Sequence, residues 1–192
     1  MDLQDVKNYI LQFGELPEDQ WEYVVGQLSL KNYSPGAYFQ RDGDEPLYLG
    51  LVLKGIFRVY YQSPEGKEFT RAFALEKSPL GDYASYLCKT HSNVNIVALE
   101  PSTVAVLTFD QYFGLFERHP VWNRIGRRII EGFYVEREQR EAELALLKVR
   151  VRYEKFLARY PELSKRVANT YIANYLGMTP ETLSRLRGHN PG

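Results

Sequence analysis

Only one cysteine, Cys88, occurs among the 192 residues. No internal disulfide can form, and thiolates cannot by themselves assemble a zinc site or an iron–sulfur cluster. A reducing, cytoplasmic setting fits that composition. Histidine is almost as scarce: His91, His119 and His189 are far apart and form no H-x-H pair. No apolar run approaches the ~20 residues needed to cross a bilayer. The start, M-D-L-Q-D-V-K, is polar and acidic and does not read as a secretory signal. Internal repeats and low-complexity tracts are missing, as is any Ser–His–Asp set or paired-carboxylate constellation; Glu76, Asp82 and Glu100 are dispersed. Neither an enzyme, a cofactor nor a metal site is expected from these residues.

Net charge is also lacking, because 24 Lys+Arg balance 24 Asp+Glu. The balance is uneven along the chain. From Arg118 onward 15 basic residues face 8 acidic ones, a surplus of +7, while the first 117 residues hold 9 and 16, a deficit of −7. A positive half can meet phosphate while a negative half stays clear of it. A solvated helical face would account for arginine richness alone; the asymmetry points to two halves with different tasks.

What is present is apolar and aromatic: 44% hydrophobic residues, with 15 Tyr and 10 Phe, enough for a core and suited to a β-rich region. Residues 2–28 look helical, with a helix start at L-P-E-D over 16–19 and an apolar face of Trp21, Val24, Val25 and Leu28. Over about 29–109, short runs rich in Tyr, Val, Phe and Leu alternate with turn residues at 34–36, 41–46 and 63–66. Strands are expected at 49–53, 56–61, 69–75, 94–99 and 103–109, and this spacing implies an antiparallel sandwich or barrel. The stretch 79–88 reads as a turn leading into a short helix. Residues 121–148 lack proline and are expected to form one long helix, with Gly126 and Gly132 as weak points and Ile125, Ile129, Phe133, Leu144 and Leu147 near a common stripe. So long a helix needs a partner surface. Packing on its own β-region would supply one; pairing with a second copy would supply another. An amphipathic helix at 149–160 follows, with Val149, Tyr153, Phe156 and Leu157 inward and Pro161 as its stop.

The most informative stretch is T-Y-I-A-N-Y-L-G-M-T-P-E-T-L-S-R-L-R over 170–187. Ile172, Ala173 and Leu176 mark one side of a short helix. Gly177 supplies the left-handed conformation of a turn. Thr179 is a good N-cap, and Pro180 falls at the first helical position, where its missing N–H is harmless. The second helix buries Leu183 and Leu186, leaving Thr179, Pro180, Glu181, Thr182, Ser184, Arg185 and Arg187 as the candidate DNA-binding residues. Laid in a major groove, Arg reads guanine and Glu accepts from cytosine. A plain helical hairpin explains Gly177 and the leucines, but not the crowding of short polar residues and two arginines on one side.

In this order (helical start, β-roll, long helix, helix-turn-helix) the chain resembles the cyclic-AMP receptor protein/fumarate–nitrate regulator (Crp/Fnr) superfamily of bacterial transcription factors, especially its Bacteroidetes-type members. The carriers are V-L-K-G-I-F-R-V-Y at 52–60, G-D-Y-A-S at 81–85, I-V-A-L-E at 96–100 and the helix-turn-helix itself. The resemblance implies an α+β fold: a cyclic-nucleotide-binding-like effector domain at 1–120, a dimerisation helix at 121–148 and a DNA-binding domain at 149–192. It implies a homodimer on a palindromic operator in double-stranded DNA, a small-molecule effector and RNA polymerase as a partner. The implied effector residues are Gly81, Asp82, Tyr83, Ser85 and Asn95. In nucleotide-binding members a Glu of the cassette holds the ribose hydroxyl and a following Arg pairs with the cyclic phosphate. Here Asp82 stands for that Glu, and no Arg or Lys occurs between Thr90 and Leu107, where His91 and Asn95 are the nearest polar candidates. A cyclic phosphate would lack its bidentate guanidinium, so the pocket is not expected to be specific for cyclic AMP, unless an arginine from another strand, Arg58 or Arg71, reaches it. The cysteines of the iron–sulfur branch are missing, and isolated His91 and His119 give no basis for haem. On the recognition helix Glu181 and Arg185 match two of the family's three base-reading positions, and Pro180 replaces the first, an Arg. The tail at 189–192 reads as loose. The competing reading is a small-molecule-binding or protein-interaction module whose degenerate helix-turn-helix leaves DNA alone; a cupin-type metal enzyme fails for want of clustered histidines.

Overall fold

The computed structural model describes residues 3–188; the tail at 189–192 lies outside the described residues. Two short helices open the chain, α1 (Gln4–Leu11) and α2 (Glu18–Gln27). The helical reading of 2–28 is therefore interrupted. Gly14 has φ 156°, and Pro17 sits extended at φ −57°, ψ 144° as the residue before α2, where the residue cannot continue a preceding helix but can start a new one.

Eight strands follow: β1 (Ser29–Tyr33), β2 (Tyr38–Gln40), β3 (Tyr48–Lys54), β4 (Phe57–Gln62), β5 (Glu68–Ala74), β6 (Pro79–Leu80), β7 (Asn95–Ala98) and β8 (Ser102–Thr108), with α3 (Tyr83–Cys88) between β6 and β7. They form two antiparallel four-stranded sheets, ordered β1-β8-β3-β6 and β2-β7-β4-β5. Period-2 alternation turns Val52, Phe57, Ile96, Val104 and Val106 inward between the sheets, all at most 1% exposed. Gly55 makes the β3–β4 connection at φ 93°; a Cβ there would lie 2.8 Å from the Ser102 Cα. The glycine of the strand–glycine–strand element is thus required by a close backbone approach as well as by φ. Strands β1 and β2 escape sequence reading because S-L-K-N-Y has no inward-facing apolar alternation to announce it.

The rest is helical: α4 (Phe109–Arg118), α5 (Pro120–Leu146), α6 (Val149–Arg159), α7 (Leu163–Arg166), α8 (Asn169–Leu176) and α9 (Pro180–Gly188). A capping box between Thr108 and Gln111 starts α4. The 27-residue α5 begins with Pro120 at its first turn, and His119 Nδ1 accepts the Val121 N–H at 3.2 Å. Its N-terminal turns pack on α1 and α2 through Val6, Ile10, Val24, Trp122 and Ile125, and the Trp122 indole donates to Gln20 Oε1 at 3.2 Å. The expected single stripe on α5 is corrected here. Ile125 and Ile129 join the internal cluster with α1 and α2, whereas every residue from 130 to 139, Phe133 among them, is exposed. The neighbouring helices reach only about the first three turns of α5, so the same periodic stripe is core at one end and surface at the other.

The C-terminal helices build their own cluster from Tyr153, Phe156, Leu163, Ile172, Ala173, Leu176 and Leu183, which continues into Ile56 and Phe73 of the β-region. No helix among the described residues is long and apolar enough to cross a membrane.

Candidate nucleic-acid interface and effector cassette

Helix α8 buries Ile172, Ala173, Tyr175 and Leu176. It ends at Gly177 in the left-handed region (φ 65°, ψ 42°), while the Met178 N–H returns to the Ala173 carbonyl at 3.0 Å. That closure satisfies helix-end carbonyls and swings the chain into a new direction. Thr179 Oγ1 then accepts the Thr182 N–H at 3.3 Å, capping α9, and Pro180 occupies its first position. Leu183 anchors α9 at 1% exposure. Thr179, Pro180, Glu181, Ser184 and Arg185 are exposed; Thr182, Leu186 and Arg187 are half-buried. The Thr179 hydroxyl, the helix-start backbone and the Arg185 charge hold the Glu181 carboxyl below the usual carboxylate range. An ionised acceptor and a guanidinium one turn apart thus stand on the outer side of the second helix.

In the cassette, Gly81 joins β6 to α3 and Asp82 caps that helix. Its two carboxylate oxygens are both engaged: Oδ1 accepts the Ser85 N–H at 3.3 Å, and Oδ2 accepts the Ser92 hydroxyl at 2.8 Å. Asp82, Ser85 and Ser92 are 3–6% exposed. The structure brings Asp82 and Ser85 together with Ser92, a residue that no periodicity or motif marks in the sequence. Asn95 sits on β7 with its side-chain oxygen taking the Asp42 N–H at 3.1 Å. Tyr83 faces the other way. It stacks on Phe113 with centroids 5.9 Å apart and lines a groove of about 560 Å³ with Phe116, Asn123, Gly126, Ile130 and Tyr134. Burial raises its hydroxyl pKa.

Arg58 is 3% exposed and belongs to a different contact. Its Nε donates to Thr70 at 2.8 Å, its Nη1 to Glu68 at 2.6 Å, and its guanidinium lies 4.1 Å from the Tyr171 ring centroid on α8. Beside it, Asn174 of α8 takes the Thr70 N–H and donates to the Glu68 carbonyl at 2.7 Å. Arg166 reaches Glu76 at 2.7 Å and also Glu100. These residues dock the helix-turn-helix on the β-region; sequence reasoning marked none of them for this contact and offered Arg58 only as a candidate partner of a cyclic phosphate. Their partners lie at least 66 positions away along the chain, except for those of Arg58 on β5. Among the described residues no group of three or more His, Cys, Asp or Glu is placed to hold a metal ion.

Comparison with known proteins gives the same outline. Residues 30–119 match the cyclic nucleotide-binding domain family. A protein described as a transcriptional regulator of the Crp/Fnr family from Eubacterium rectale superposes with a TM-score of 0.72 at 19% identity, covering 93% of this chain and 85% of that one. FixK2 from Bradyrhizobium japonicum gives 0.71 at 20% identity, over 84% and 83% of the two chains. The c-di-GMP-responsive global regulator CLP of Xanthomonas campestris gives 0.68 at 16% identity over 90% of each. No curated protein sequence matches at a significant level.

Proposed function

From the premise that the chain carries a cyclic nucleotide-binding domain over 30–119 and has the Crp/Fnr regulator fold, we propose that it is a dimeric DNA-binding transcription regulator whose effector pocket is not specific for cyclic AMP. The observation that carries the DNA reading is the exposed polar side of α9, with Glu181 and Arg185 one turn apart on a helix fixed by Gly177, Thr179 and Leu183. In a major groove Arg185 takes guanine O6 and N7, and Glu181 accepts a cytosine amino group. Thr179, Pro180, Thr182, Ser184 and Arg187 flank them toward base edges and phosphates. A second copy, paired through the exposed part of α5, supplies the second half-site. RNA polymerase is the expected protein partner of such a regulator.

The effector reading rests on the cassette. Asp82 already uses both oxygens on Ser85 and Ser92, Arg58 is committed to Glu68 and Thr70, and the interior of the β-region is filled by Phe57, Leu80, Val94 and Ile96. A cyclic phosphate entering there finds Arg58 already engaged and Arg71 on the exposed side of β5, and it has to displace apolar side chains.

Selection of bound sequences from random duplex DNA at a fixed ionic strength tests the proposal. A palindrome with half-sites one helical turn apart, ~34 Å centre to centre, is the expected product. If no sequence is enriched even at low salt, the module reading with a non-binding helix-turn-helix replaces it.

A further inference from the structure

Where α5 ends and the helix-turn-helix unit begins, four basic side chains gather around Glu143, with Glu136 also within electrostatic reach of Arg159. Arg140 and Glu143 project from α5; Arg152, Lys155 and Arg159, at i, i+3 and i+7, project from one side of α6. Together with Tyr160 and Tyr175 they line a cleft of only about 10 Å³, the room of a single water, so an oxyanion enters only as these long side chains part. Glu143 Oε1 pairs with Lys155 at 3.0 Å and Arg159 at 3.8 Å. The remaining contacts of the arginines are to neutral carbonyls. Arg152 donates to Leu144 at 3.1 Å, Leu147 at 3.0 Å and Gly177 at 3.4 Å, and Arg140 donates to Tyr175 while its guanidinium lies 3.9 Å from that ring centroid.

These contacts satisfy the carbonyl ends of α5 and α8, and each helix end offers only about half a negative charge. Four cations therefore outnumber the negative charge that faces them. Burial, with Arg152 as a like-charged neighbour, pulls the Arg140 pKa down. Arg152 Nε is buried with no hydrogen-bond partner among the described residues, although a buried guanidinium N–H is ordinarily satisfied. A surplus of converging donors with one left open suits an oxyanion, to which arginines bind in a planar fork and lysine as a point charge.

We propose that this junction is an anion site that takes a phosphate group and ties α5 to α6 at the joint of the long helix and the helix-turn-helix. The phosphate comes either from a free phosphate compound or from a DNA backbone, and two measurements distinguish them. In the first, the free protein is melted in increasing inorganic phosphate, with chloride adjusted to hold ionic strength constant. The wild type should show a saturable rise in Tm of roughly 2–4 °C. Lys155→Gln combined with Arg159→Gln should abolish the rise; among the described residues both side chains form ion pairs only with Glu143, so the fold, checked by circular dichroism, should persist. Arg150→Gln, which removes one positive charge on the exposed side of α6 where Arg150 pairs with Glu154, should leave it intact. Glu143→Gln should move the midpoint to several-fold lower phosphate, which the mere loss of a structural ion pair would not do.

The second measurement is the salt dependence of binding to a selected duplex. A backbone phosphate in the cleft predicts that Arg159→Gln lowers the salt slope by about one per subunit, with no saturable response to free phosphate. The first arm uses no DNA, so it stands or falls independently of the DNA-binding proposal. A phosphate response equal in wild type and the double variant, together with an unchanged salt slope, would overturn the anion site.

Discussion

Arg185 and Glu181 face outward from α9 one turn apart, and the DNA reading is most sharply tested at these side chains. Arg185→Ala should cost ~1–3 kcal/mol per half-site on the selected sequence and relax preference at one position of each half-site. Titrating wild type and variant against the selected duplex and its single-base changes measures both effects; an unchanged preference would remove Arg185 from base readout. Two glycines give a contrast in stability. At Gly177 a Cβ would meet Leu144 Cδ2 at 3.6 Å and Arg152 Nη2 at 3.7 Å, ordinary contacts, so Gly177→Ala should cost only the left-handed strain of ~1–2 kcal/mol. At Gly55 the new Cβ would lie 2.8 Å from the Ser102 Cα, and backbone cannot yield as a side chain does. Gly55→Ala should therefore be the more destabilising of the two, by thermal or urea unfolding.

At the scale of elements, the informative contact is α8 on β5. Strand β5 is an edge of its sheet, and an edge presents unpaired N–H and C=O groups. The Asn174 amide supplies both partners of a missing strand, taking the Thr70 N–H and donating to the Glu68 carbonyl. A few residues away Arg166 closes the dock on Glu76 and Glu100. The Arg166 hydrogen bond is the main cause that holds the Glu76 carboxyl below the usual range. With the folded pKa depressed, the stabilisation is fully present above the unfolded value of about 4.3 and fades as pH falls through the lower folded one. Acid should thus loosen α7 and α8 from the β-region. Glu76→Gln should lower Tm at neutral pH and flatten its decline below about pH 4.3; a decline as steep as in the wild type would show that other carboxylates govern it.

For the whole molecule, the proposed pairing of two copies rests on α5. Its 27 residues span about 40 Å, and past Ile129 it carries exposed Ile130, Phe133, Tyr134 and Val135. Apolar side chains repeated along a free helix are the face that a second α5 would cover. Sedimentation at micromolar concentration should give twice the 22.3 kDa monomer mass, and Phe133→Glu should shift the equilibrium to monomer; a wild-type monomer would refute the pairing. The filled roll and the self-satisfied Asp82 lead to the remaining expectation. Calorimetry with cyclic AMP and cyclic GMP should give no submicromolar dissociation constant, and finding one would mean that the interior of the β-region rearranges to admit the phosphate.

Local chemistry alone was enough to determine the strands within 48–74 and 94–109, the turn at Gly177, the Thr179–Pro180 start of α9 and the outward side of that helix, because each depends on residues within a few positions of one another. Helix period placed Ile125, Ile129 and Phe133 on one stripe, but only the tertiary structure decided that α1 and α2 cover the first two and leave Phe133 bare. Likewise Asp82 shows in the sequence as a cassette acid, while its engagement by Ser92 depends on how the following loop folds back. Asn174, Arg166 and the cations around Glu143 read in sequence as ordinary helical polar residues. Their roles come from partners on β5, the β-turns and a neighbouring helix. Pairing and burial are properties of segments that meet in space, and neither propensity nor periodicity carries information about which distant segment arrives.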